Sequence, residues 1–172
     1  MTIANGLTLF RAVAGIPVFI LLQANQPVIA LALFVAAALS DALDGFLARR
    51  GGTAGPRGAL LDPLADKVLV VITLAGLAST GLVAPVFAEL VALREGAVAA
   101  LRLIAYRRRT EVGAGIAAKA KTALELVAVA LLMIGRPPSL ASDAGVSLLA
   151  VALVTGFGTL PMYFPHAGRK LT

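Results

Sequence analysis

Cysteine is absent from the 172 residues, which excludes a disulfide framework and thiol chemistry and leaves the redox compartment open. Histidine occurs once, as His166 near the C-terminal end, and is assigned no role. Charge is scarce: Asp, Glu, Lys and Arg together make up 14% of the chain against 59% hydrophobic residues. A mean hydropathy of +0.94 lies far outside the range of a soluble domain of this length. What remains is a series of apolar runs, each about 20 residues long and able to cross a hydrocarbon core of roughly 30 Å as a helix. Six are expected, over 6–23, 27–49, 58–80, 83–106, 115–135 and 145–164. The segments between them, such as "QANQP", "RRGGTAGPRG" and "GRPPSLASDAG", carry turn chemistry. The sequence therefore predicts an all-α integral membrane protein of six transmembrane helices, one domain over residues 1–172. Arg11 inside the first run, with no small-x-small cleavage site after it, predicts a retained span rather than a leader.

The net charge of +6 is explained by orientation rather than by nucleic acid. Arg49, Arg50 and Arg57 fall in one loop, Arg107, Arg108, Arg109, Lys119 and Lys121 flank another, and Arg169 with Lys170 lies in the tail, whereas the alternate loops hold only Arg136. The positive-inside rule then puts both termini and the basic loops on the cytoplasmic face of the cell (inner) membrane. The basic rim also favours anionic membrane lipids.

Against this background four aspartates stand out. Asp41, Asp44, Gly45 and Ala48 follow at i, i+3, i+4 and i+7, one face of a helix near its cytoplasmic end. Gly58, Asp62 and Asp66 follow at i, i+4 and i+8 and line the start of the next helix. A short connection makes the two helices antiparallel neighbours, pairing Asp44 with Asp62 and Asp41 with Asp66 in depth, about 6 to 12 Å below the helix ends. Four carboxylates there stay ionised only with compensation. Arg49, Lys67, Arg94 and Arg102 are nearby candidates for ion pairs, and divalent cations suit hard oxygen ligands. Two such cations neutralise all four aspartates and clamp a phosphoryl group from both sides. The competing readings are helix-joining ion pairs or a proton path, and for Gly45 and Gly58 small-residue helix packing instead of close approach by a ligand.

Basic residues lie on the same side. Arg94 and Arg102 stand eight apart on the fourth run, and Lys119 and Lys121 enter the fifth, so they are candidates to surround an acceptor phosphate; the alternative is ordinary flank charge. Glu89, Glu111, Glu125 and Asp143 have no companions at ligand spacing. Asp143 reads as loop, and Glu125 as a partner of Lys121 four residues earlier.

The pattern Asp41-x-x-Asp44-Gly45-x-x-Ala48-Arg49, then eight residues, then Gly58-x-x-x-Asp62-x-x-x-Asp66 resembles the signature of the CDP-alcohol phosphotransferase family. The resemblance implies a six-helix membrane core with a cytoplasm-facing site, often a homodimer. It implies that Asp41, Asp44 and Asp62 coordinate two divalent metals, Mg²⁺ or Mn²⁺. Asp66 completes that metal site and acts as general base, and Gly45, Ala48, Arg49 and Gly58 contact the CDP part of the donor. "LTLFR" at 7–11, "LDPLADK" at 61–67, "REGAVAALR" at 94–102 and "KAKT" at 119–122 resemble the phosphatidylglycerophosphate synthase branch. That branch implies transfer of a phosphatidyl group from CDP-diacylglycerol to glycerol 3-phosphate. The alternatives are the same chemistry with phosphatidylglycerol, as in cardiolipin synthases, or inositol phosphate as acceptor. A small transporter or proton-relay subunit is a rival of another class; it predicts polar groups spread over several spans at midplane.

Overall fold

In the computed structural model, the described backbone covers residues 3–51, 58–107 and 116–160, and the described side chains cover 13–40, 67–104 and 120–160. Among the described residues there are six helices and no strand: α1 Ile3–Gln23, α2 Pro27–Gly51, α3 Gly58–Ser79, α4 Pro85–Arg107, α5 Ile116–Ile134 and α6 Leu140–Gly158.

Local chemistry sets the ends of these helices. α1 closes with Gln26 N donating to Leu21 O at 2.9 Å and Asn25 N to Leu22 O at 3.0 Å, with Asn25 at φ 58°. α3 closes in the same way: Leu82 N donates to Leu77 O at 2.9 Å and Gly81 N to Ala78 O at 3.1 Å, with Gly81 at φ 74°. Both are left-handed caps, for which Asn and Gly are the suited residues. Pro27 and Pro85 then open α2 and α4 at the first helical position, where a missing N–H has no intrahelical partner to lose.

The last helix departs from expectation. It was expected from 145, yet it begins at Leu140, because the Ser139 hydroxyl accepts the Ser142 N–H at 3.1 Å and caps it. Asp143, expected in a loop, lies in the first turn of α6. A carboxylate there faces the positive end of the helix dipole.

α1 packs on α2 and α3; α3 also meets α2, α4 and α5; α5 runs along α6 and touches α2; α4 touches α6. Phe34, Leu69, Leu74, Leu77, Leu132 and Leu149 fill the centre. Where helices approach closely a glycine provides the room: a Cβ on Gly145 of α6 would meet Leu132 Cγ at 2.8 Å and Ala128 O at 3.1 Å on α5. The outer faces are apolar, with Val28, Leu140 and Val154 exposed by 77%, 87% and 74%, while Arg94, Glu95, Lys121 and Glu125 are buried. That polarity is inverted relative to a protein solvated by water. Among the described residues α6 is long and apolar enough to cross a membrane, and the apolar stretches Val13–Gln23, Pro27–Ser40 and Lys67–Ser79 are shorter.

Two hydrogen bonds gather the described turns at one end of the bundle. Gln23 Nε2 donates to Ser79 Oγ at 3.1 Å, and Arg136 Nη2 to Asn25 Oδ1 at 2.5 Å. The C-terminal part of α2 and the N-terminal part of α3 therefore share the opposite end.

Candidate active site

Asp41, Asp44, Gly45, Ala48 and Arg49 belong to the helical backbone of α2, and Gly58, Asp62 and Asp66 to that of α3. Helical rise places the two pairs of aspartates roughly 6 to 15 Å along the axes from Gly51 and Gly58. The side chains of all eight lie outside the described residues, and so does that of Lys119. Among the described residues no three His, Cys, Asp or Glu side chains gather to hold a metal ion.

One residue beyond Asp66 the described side chains begin, and they open directly onto a buried ionic cluster. Lys67 of α3 pairs with Glu95 of α4 through Oε2. Arg94 donates through Nη1 to Glu95 Oε1, and Lys121 of α5 donates to the same oxygen. Lys121 also pairs with Glu125, one turn along α5. Arg94, Glu95, Lys121 and Glu125 are each at most 4% exposed.

Such a cluster persists because the carboxylates and cations compensate one another. Removing one partner of a buried pair costs about 3–5 kcal/mol, since it strands a charge away from water. Among the described residues Lys67, Arg94 and Lys121 pair with Glu95 and Glu125, and Arg94 Nε is buried with no hydrogen-bond partner. On the side of α6 stands a glycine: a Cβ on Gly156 would lie 3.0 Å from Arg94 Nε and 3.2 Å from Lys121 Cε. Gly156 thus makes the space in which the two basic side chains lie.

Of the four residues expected at an acceptor phosphate, the structure brings Arg94 and Lys121 together. Both are ion-paired with glutamates rather than standing open at the flank. Arg102 lies two turns further along α4 and is partly buried. The expected Lys121–Glu125 pair is present. Glu95, read in the sequence only as part of the "REGAVAALR" resemblance, was given no role at the site. It bridges three helices, and its sequence signals were the motif it belongs to and a carboxylate in the middle of an apolar run.

The model of the CDP-alcohol phosphatidyltransferase family matches residues 1–158. The chain is 36% identical over 181 aligned positions to the CDP-diacylglycerol--glycerol-3-phosphate 3-phosphatidyltransferase of Sodalis glossinidius, covering 99% of this chain and 97% of the relative. It is 36% identical to the protein of the same name from Pectobacterium atrosepticum, over 96% of this chain and 94% of that one. A probable phosphatidylglycerophosphate synthase of Mycobacterium tuberculosis is 36% identical over 89% of this chain and 76% of its own length.

Proposed function

This chain belongs to the CDP-alcohol phosphatidyltransferase family, and from that premise we propose that it transfers the phosphatidyl group of CDP-diacylglycerol to the primary hydroxyl of glycerol 3-phosphate. The products are phosphatidylglycerophosphate and CMP. The observation that carries the reading is similarity along nearly the whole chain to relatives that share this printed activity. Their names favour glycerol 3-phosphate over phosphatidylglycerol or inositol phosphate. The family match along the chain, rather than the placing of the buried charges, weighs against a transporter.

The proposed setting is the cell membrane. Apolar outer faces around a charged interior support burial of the helices in lipid. The Lys and Arg bias between alternate loops supports six spans with both termini and the site cytoplasmic, and two copies are proposed to pair. A lipid donor and a water-soluble acceptor have to meet near that face, and the aspartate-bearing segments belong to one end of the bundle.

The donor set fits hard divalent cations: four carboxylates placed by helical register at the same end of two neighbouring helices. Asp41, Asp44, Asp62 and Asp66 would hold two ions, Mg²⁺ or Mn²⁺, which when bound offset the charge of the donor pyrophosphate. Gly45, Ala48, Arg49 and Gly58 contact the CDP moiety. Arg94, Arg102, Lys119 and Lys121 hold the acceptor phosphate and orient its hydroxyl. Asp66 accepts the hydroxyl proton as the oxygen attacks the phosphatidyl phosphorus; the bond from that phosphorus to CMP breaks, and CMP leaves with the electron pair. The test is direct. Purified protein with CDP-diacylglycerol, Mg²⁺ or Mn²⁺ and a panel of alcohols is expected to release CMP with glycerol 3-phosphate and to give a lipid of the matching mass. Release with a different alcohol alone would overturn the choice of acceptor.

A further inference from the structure

We propose that Glu95 is a positioning residue for the acceptor: it holds Arg94 and Lys121 assembled as a preformed anion-binding pair and, through Lys67, ties that pair to the helix that carries Asp66. The inference rests on the proposed transferase reading and adds to it the group that sets the geometry of the acceptor side.

Three features separate this role from that of a simple helix clamp. First, Arg94 and Glu95 are neighbours on one helix, and side chains at i and i+1 ordinarily diverge. Their contact joins no two helices. What it does is orient the guanidinium, whose Nη1 is committed to Glu95 Oε1 while, among the described residues, Nε is buried without a hydrogen-bond partner. Second, the same oxygen accepts Lys121 from α5, and the other carboxylate oxygen takes Lys67 from α3. One carboxylate therefore fixes the positions of cations from three helices. Third, the space in which the two basic side chains lie is kept by a glycine of α6. Gly156 completes the arrangement, because any larger residue there meets Arg94 Nε and Lys121 Cε.

Lys67 gives the cluster a second connection. It follows Asp66 directly in α3, so its pairing with Glu95 fixes α3 against α4 one residue from the proposed base. Acceptor phosphate and acceptor hydroxyl are then held relative to one another through Glu95, as a near-attack arrangement requires.

The test uses the purified full-length protein and three variants. Glu95→Gln keeps the shape of the side chain and removes its charge. It is expected to raise KM for glycerol 3-phosphate about tenfold or more while affinity for CDP-diacylglycerol stays within about twofold, a split that loss of helix packing alone would not produce. Glu95→Asp is expected to recover part of the acceptor affinity. Gly156→Ala, which leaves every charge in place but presses on Arg94 and Lys121, is expected to raise the same KM several-fold without weakening donor binding; it serves alone if Glu95→Gln does not fold. Equal loss of donor and acceptor affinity in step with a fall in Tm, or an unchanged acceptor KM, would overturn the proposal. If the wild-type protein turns over no glycerol 3-phosphate, the transferase reading fails on its own, and calorimetric binding of glycerol 3-phosphate without donor then decides: wild-type binding that Glu95→Gln weakens sustains the positioning role, and absence of binding overturns it.

Discussion

Arg136 donates to Asn25 Oδ1 at 2.5 Å across 111 positions of sequence, and so ties the turn between α5 and α6 to the turn between α1 and α2. With Gln23 joined to Ser79, this fixes one end of the bundle as the meeting point of the described turns and leaves the other end to the aspartate-bearing segments. Arg136 is also the one cation of the alternate loops. The asymmetry of charge and the asymmetry of structure therefore coincide.

That coincidence makes a prediction about sidedness. The chain has no cysteine, so single introduced cysteines report without background. Ala84→Cys, at an exposed position in the turn before α4, is expected to react with an impermeant thiol reagent from outside intact cells. Gly52→Cys and Gly113→Cys are expected to react only after the cytoplasmic face is opened. Labelling of Ala84→Cys and Gly52→Cys from one face would rule out the six-span arrangement.

A second prediction concerns the ions. Four carboxylates on two neighbouring helices repel one another unless cations compensate. Chelation is expected to abolish CMP release, and Mg²⁺ or Mn²⁺ to restore it. Asp41→Asn, Asp44→Asn and Asp62→Asn are each expected to raise the metal concentration for half-maximal activity about tenfold or more, at least the effect of losing a residue that merely supports a ligand. Undiminished turnover in excess EDTA would count against any metal role for the aspartates.

Much of this architecture was legible in the sequence. Hydropathy alone placed α2, α3, α4 and α5 within about two residues at each end, since long apolar runs bounded by Gly and Pro leave little freedom. It misplaced the start of α6, where Ser139 caps a helix inside a stretch rich in Pro and Ser that reads as loop. The Lys121–Glu125 pair was legible because it is a spacing of four within one helix, and the helical backbone that carries the aspartates because their spacing is helical. The pairing of Glu95 was not, because its partners Lys67 and Lys121 come from other helices and no periodicity links them. Sequence reports local register well; a charge balanced among three helices exists only after they pack.

A third prediction separates proton transfer from binding at Asp66. As the general base, Asp66→Asn is expected to leave CDP-diacylglycerol affinity mostly intact while kcat falls by about 10² to 10⁴. Asp41→Asn is expected to weaken donor binding instead, because the pyrophosphate is held through the ions. The comparison is made at saturating Mn²⁺, with calorimetry for donor affinity and single-turnover CMP release for chemistry. Near-normal single-turnover rates in Asp66→Asn at saturating donor would assign proton removal to another group or to water.

The last prediction contrasts two glycines and tests how the helices associate. In lipid the apolar surface of a helix gains little by leaving its surroundings, so association depends on close packing and on polar contacts between helices. Gly145 sits where α6 presses on α5, and a Cβ there would meet Leu132 Cγ at 2.8 Å and the backbone oxygen of Ala128 at 3.1 Å. The carbonyl cannot swing aside as a side chain can, so Gly145→Ala forces the two helices apart. It is expected to destabilise the protein by about 1–3 kcal/mol, a fall in Tm of several degrees at this chain length. Gly96 of α4 has nothing within 4 Å of the same added atom, so Gly96→Ala meets no steric objection and gains helix propensity, worth up to about 1 kcal/mol. Thermal unfolding of both variants in the same detergent reads the difference. Equal Tm values would mean that α5 and α6 do not pack through this contact, and that the pairing of Lys121 and Glu125 with their neighbours, rather than small-residue packing, holds this side of the bundle together.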